Sequence, residues 1–244
     1  MKKLFYITSV ALLTMGMAPG DGNDRAEGNR MPQSHPVSED WVDLGLPSGL
    51  MWAKCNLGAA TPEAYGNYYA WGEKQPKAEY KWSTYGFCAV GSDGKLQILN
   101  KYNTSADYGA VDAKVVLDSV DDVAASDMGS GSRIPTYDDW RELLANTTNE
   151  WTEQNGVYGC RFTASNGNSM FLPAAGFMRD GTLMCDATNG FEWNRFGLYW
   201  SSSLGADKSV DAWILFFNHV ECSYNGHPRY QGIPVRAVRS GEGQ

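Results

Sequence analysis

The chain is poor in the residues on which catalysis and metal chemistry most often rest. It has three histidines, and His35 lies in a polar N-terminal stretch. Five cysteines (Cys55, Cys88, Cys160, Cys185 and Cys222) are widely spaced without a C-x-x-C, which excludes the common zinc and dithiol motifs. An odd number leaves at least one thiol unpaired within the chain. The plain reading is small buried apolar side chains, with a Cys160–Cys185 bridge as the alternative. Ser201-Ser202-Ser203 lacks the G-x-S-x-G elbow, and no glycine loop suited to cradling phosphate is present. Basic charge is also scarce: 20 Lys and Arg stand against 28 Asp and Glu, a net charge of −8. A nucleic-acid binder needs the opposite sign to release counterions from phosphates. Beyond the first residues no apolar run is long enough to span a bilayer. Neutral sugars, proteins or cations remain as partners, and no cofactor or metal is expected.

What the chain does have is glycine (27) and aromatic residues (Trp 9, Tyr 13, Phe 9) within 244 residues. That mixture favours many short strands joined by turns, with large buried rings in place of long apolar helices. Met1-Lys2-Lys3 followed by the apolar run Leu4–Met15 and the small residues Gly16 and Ala18 has the layout of a secretory signal peptide over 1–18. No cysteine lies nearby to carry a lipid anchor. Residues 19–40 are polar and rich in Gly, Pro and Asn, and read as a flexible tether. A single α+β domain is expected over 41–240.

Within it, Trp41–Leu46 and Leu50–Ala53 flank Pro47-Ser48-Gly49 as a hairpin. Asn67–Trp71 reads as an aromatic strand and 73–110 as a long loop. Two helices are expected from Ser119 with Asp122 and from Thr136 with Asp139, each a hydroxyl followed three residues later by an acid. Tyr137, Trp140, Leu143 and Leu144 share one face of the second. Tyr158–Ala164 and Ser169–Leu172 form a hairpin around Asn166-Gly167. Leu198–Ser201, Ala212–Phe217, Val220–Tyr224 and Ile233–Val238 are further strands. Asp118, Asp121 and Asp122 are acids close enough to suggest a cation site, but a helix start explains them. Asp118-Ser119-Val120 also matches a short O-glycosylation acceptor pattern.

Six phrases occur in order: VDLGLPSGLMWAKCNLGA (42–59), YGNYYAWGE (65–73), SRIPTYDDWRELL (132–144), NGVYGCRFTASNGNSMFLPAAG (155–176), YWSSS (199–203) and GIPVRAVR (232–239). Together they resemble the secreted fibrobacter-type major paralogous domain family of Bacteroidota, from about residue 41 to 239. The resemblance implies a C-type-lectin-like fold, related to the formylglycine-generating enzyme. It implies small twisted antiparallel sheets, two helices, long loops and strands from the two chain ends paired as neighbours. It implies recognition on loops near the last strands, in a fold that diversity-generating retroelements sometimes randomise near the C-terminus.

The candidate ligand surface is the run from Trp213 to Tyr230. In a strand Trp213, Leu215 and Phe217 share one face and Ile214 and Phe216 the other. With one face as core, Trp213, Ile214 and Phe216, then His219, Glu221, Ser223, Tyr224, His227, Arg229 and Tyr230 of an irregular stretch, supply rings and polar groups for a glycan or protein. The plain alternative buries both faces. Trp193 beside Asn194 is a second candidate, suited to stacking on a sugar, against ordinary loop packing. Neither carbohydrate signature of calcium-dependent lectins, Glu-Pro-Asn or Trp-Asn-Asp, is present. His219, Glu221 and His227 match no common metal spacing. A formylglycine-type chemistry needs a reactive cysteine pair, and near the C-terminal end only Cys222 is available. Arg236 and Arg239 suggest ion pairs or solvent contacts. The expectation is an exported, surface or periplasm-facing binding module, with a surface-fibre subunit as the alternative and an enzyme as the remote one.

Overall fold

The Pro47-Ser48-Gly49 turn closes with a hydrogen bond from Gly49 N–H to Leu46 O at 2.9 Å, with Gly49 at φ +68°. It joins β1 (Trp41–Asp43) to β2 (Leu50–Ala53) as the expected antiparallel hairpin. The computed structural model describes residues 40–129, 131–188 and 195–241. Contacts divide the chain into Met1–His35 and Pro36–Gln244, and every described residue belongs to the second. The expected signal peptide, and the tether up to Glu39, lie outside the described residues.

The 73–110 excursion carries its own hairpin, β3 (Cys88–Val90) with β4 (Leu96–Leu99). Asn67–Trp71 contributes one bridge, Tyr69 to Ile233, instead of a strand. The helix expected from Ser119 opens as a single 3-10 turn, Ser119–Asp121, and α1 (Val123–Met128) follows with Asp122 as its cap. One Asp122 oxygen accepts from Ala124 N–H (2.8 Å) and Ala125 N–H, while the other accepts from Ile134 N–H (2.8 Å). Asp118 and Asp121 instead hold the Lys101 ammonium. The three acids are therefore a cap and an ion pair. After β5 (Ser132–Arg133), α2 (Tyr137–Asn146) begins with the reciprocal Thr136–Asp139 capping box the sequence signals.

β6 (Thr147–Gln154), which sequence reasoning missed, pairs with β7 (Val157–Ala164), and β7 with β8 (Ser169–Pro173). A short hairpin, β9 (Phe177–Arg179) with β10 (Thr182–Met184), follows. A second three-stranded sheet is β11 (Gly197–Leu204), β12 (Asp211–Phe217) and β13 (Cys222–Pro228), in that order. The stretch expected to be irregular after Phe217 is thus mostly strand, with only 218–221 as a turn. Finally β14 (Val238–Ser240) pairs with β2 and β5, joining strands from both ends of the folded part in the sheet β1-β2-β14-β5. All these strand pairings are antiparallel, and with the two α-helices they make an α+β architecture.

Two apolar clusters meet across the β11-β12-β13 sheet. Leu198, Trp200, Ala212 and Ile214 belong to one, and Tyr199, Leu215 and Phe217 to the other. Two of the buried indoles are satisfied by backbone: Trp71 Nε1 donates to Ser201 O at 2.8 Å and Trp200 Nε1 to Tyr69 O at 2.7 Å. This reciprocal pair ties 69–71 to β11.

Two guanidinium groups lie wholly inside. Arg236 donates to Asn56 Oδ1 and to the carbonyls of Ala53, Lys54 and Phe171. Burial lowers its pKa, a pull that Tyr199 opposes. It makes neither the ion pair nor the solvent contact expected of it, because carbonyl dipoles surround it. Arg239 is partly exposed over the Trp41 ring, 4.7 Å from its centroid. Arg229 donates to Tyr85 Oη (3.0 Å), Tyr102 O (3.0 Å), Ser209 O (2.8 Å) and Lys101 O (3.0 Å). It also lies 4.8 Å from the Trp71 ring centroid. Replacing it strands several buried acceptors at once. Arg229→Met should lower unfolding free energy by about 3 kcal/mol or more in denaturant titration; a loss under about 1 kcal/mol would contradict this role.

Candidate functional site

The Trp213 face of β12 is core at Leu215 and Phe217, but toward Asp211 it opens into a groove of about 300 Å³. That size is at the small end for ligand pockets. Antiparallel register sets Trp213 opposite Gly226 and Leu215 opposite Tyr224. Trp213 and Tyr224 therefore share this face with Asp211. The 205–208 turn forms the facing wall, with Asp207 and Lys208 on it, and Asn225 lines the rim. Gly226 matters through what it omits. A Cβ there would point at Asp211 Cβ, 3.6 Å away, and Oδ2, 3.9 Å away, so a larger side chain would fill the hollow.

A third ring comes from α2. Tyr137 stacks on Trp213, with centroids 4.5 Å apart and 29° between planes, and meets Tyr224 edge-on at 5.2 Å. The Thr136 cap and a bond from Tyr137 N–H to Ser203 Oγ (3.1 Å) fix where that ring enters. The Arg141 guanidinium lies 5.7 Å from its centroid. Trp213, Tyr224 and Tyr137 are all partly exposed, so rings already ordered by one another present a wet aromatic ledge. Little side-chain entropy is lost when a ligand settles on such a surface.

Asp211 is the unusual polar group. It is half-buried, and among the described residues its carboxylate has neither a hydrogen bond nor an ion pair. Burial raises its pKa while Lys208 lowers it. The turn is anchored from behind: Arg229 holds Ser209 O, Arg229 N–H donates to Val210 O (3.1 Å), and Ser209 Oγ bonds Thr104.

The expected site residues separate accordingly. Trp213 and Tyr224 line the groove. Ile214, 2% exposed, is core, because its face of central β12 packs into the cluster with Leu198, Trp200 and Ala212. Arg229, 0% exposed, is the staple beneath the groove wall and not a ligand contact. Phe216 and Ser223 lie on the opposite sheet face, both partly buried, with Phe216 packed on Phe196 at 5.6 Å. His227 also faces that way, 5.4 Å from the Phe177 ring and bonded to Gln231. Tyr230 packs on Trp82 at 4.8 Å. His219 and Glu221 are exposed in the β12–β13 turn, where Asn218 Oδ1 accepts from Val220 and Glu221 N–H. Among the described residues no three His, Cys, Asp or Glu side chains converge as metal ligands. Trp193 and Asn194 lie outside the described residues. Sequence reasoning missed Asp211, Lys208 and the role of Tyr137; the available signal was a polar Gly-Ala-Asp-Lys turn leading into an aromatic strand.

Compared with known proteins, the chain matches no family model, no curated protein and no solved structure. The described residues form an α+β domain whose helices include none long and apolar enough to cross a membrane.

His227 gives the sheet beside the groove a pH response. Burial lowers its pKa below the ordinary 6.5, against the pull of Gln231. The unfolded chain therefore binds that proton more tightly. The contribution is complete above about pH 6.5 and declines as pH falls toward the folded-state value. Urea midpoints at about pH 7.5 and pH 5 should differ more in the parent than in His227→Gln; equal differences would contradict the assignment.

Proposed function

We propose that the chain is an exported recognition module that binds a glycan through the groove at the β12–β13 face, without turnover. The observation carrying this reading is the Tyr137–Trp213 stack with Tyr224 on its edge, open beside Asp211 and Asn225. Aromatic faces cover the apolar face of a sugar ring, while the Asp211 carboxylate takes its hydroxyls. The leader over 1–18 directs export, and 19–40 tethers the domain to the surface or within the periplasm.

The fold proposed is C-type-lectin-like and the family that of the fibrobacter-type major paralogous domains. Support comes from the six ordered phrases, small antiparallel sheets, two helices, and the pairing of β2 with β14. The groove at the penultimate sheet agrees with the recognition region that the resemblance implies.

Glycan-array and calorimetric titration of the purified domain test the reading. Trp213→Ala or Tyr224→Ala should weaken binding at least tenfold, about 1.4 kcal/mol, with thermal midpoints close to the parent's. Gly226→Val should block the groove while suiting the strand. Binding unchanged in all three variants would exclude this site.

A further inference from the structure

Asp211 narrows the ligand class, on the footing that the groove is the binding site. Its carboxylate is half-buried with no hydrogen-bond donor among the described residues, an arrangement that a ligand donor would relieve. Trp213 and Tyr224 line the same groove, and the quadrupoles of such rings attract cations. Asp207 adds a second carboxylate to the lining, and Lys208 is the one cation among the described residues that line it. Lys208 is exposed and makes no ion pair with Asp211. We propose that the groove takes an amino-bearing sugar unit, with the ammonium on Asp211 and the ring on Trp213 and Tyr224.

The test is a matched series of β-1,4-linked oligosaccharides of equal length, carrying a C2 ammonium, acetamide or hydroxyl. The ammonium series should bind at least tenfold more tightly than the hydroxyl series. Asp211→Asn should remove that preference, and Lys208→Ala should widen it. Equal binding of all three, sensitive to Trp213→Ala, overturns the amine assignment and keeps the groove. No binding by any of them overturns both.

A second inference rests on different contacts. Cys222 faces Phe217 across β12–β13, and the Phe217 ring meets Phe162 of β7 at 6.3 Å and Trp151 of β6 at 6.5 Å. Trp151 is the cross-strand partner of Cys160. These contacts bring Cys160 and Cys222 into one apolar cluster, near enough that the Cys222 thiol is the largest influence raising the Cys160 pKa. Cys185 belongs to the other cluster, so the Cys160–Cys185 pairing is not the one the fold prepares. All five cysteines are free thiols in this structure.

We infer that Cys160 and Cys222 are a bridge site linking β7 to β13, oxidised by a disulfide of the kind an exporting compartment supplies. The more exposed Cys222, as thiolate, attacks the oxidant's disulfide and expels one thiol. Cys160, giving its proton to a departing thiolate, then attacks the Cys222 sulfur and expels the second. Two protein thiols are oxidised and one disulfide is reduced to two thiols. Treating the reduced protein with oxidised glutathione should lower its alkylatable thiols from five to three, with peptide mapping linking 160 to 222. Cys222→Ser should abolish that link. Five remaining thiols, or a bridge between other positions, would overturn the inference.

Discussion

Arg229 and Arg236 impose a constraint that much of the fold answers. A guanidinium removed from water must recover its solvation from the protein, at a penalty of several kcal/mol if it does not. Each of these does so through neutral acceptors on distant segments. Arg229 gathers Lys101, Tyr102, Ser209 and the Tyr85 phenol, and Arg236 gathers Ala53, Lys54, Asn56 and Phe171. With few helices to organise it, long connecting backbone is held in place by charge–dipole bonds that only one arrangement satisfies.

The groove inherits its shape from that constraint. Arg229 follows β13 directly and holds Ser209 O, while its own N–H holds Val210 O. The wall opposite Trp213 is therefore set largely by a buried cation, with the Ser209 hydroxyl on Thr104 beside it. On the other side α2 delivers Tyr137 at a capped helix start. Strand and stapled turn line one hollow, the helix backs its rings, and Gly226 keeps it open. Rigid support under exposed rings is the condition for binding without a large ordering penalty.

The legible features were those governed by neighbours in sequence. The Thr136–Asp139 box, the Pro47-Ser48-Gly49 turn and the Asn166-Gly167 hairpin all formed as expected, since each is satisfied by bonds within a few residues. Trp213 and Tyr224 were readable as members of the groove because amphipathic rings beside polar residues suit a half-wet surface. Ile214 was misread because strand alternation says which side chains share a face and is silent on whether a second layer covers it, and Arg229 because the acceptors that bury it lie on distant segments.

By itself the sequence determined the alternation, the caps, the turns and the excess of rings over long apolar helices, because these depend on local backbone preference and side-chain type. Tertiary structure alone decided that central β12 carries core on both faces, leaving only its Asp211 end open, and that Arg229 points inward. It also left the Asp211 carboxylate without a donor among the described residues, beside the ledge formed by Trp213, Tyr137 and Tyr224. Those outcomes depend on residues more than sixty positions apart meeting at fixed distances, as Tyr137 and Ser203 do, and no local preference encodes such a meeting.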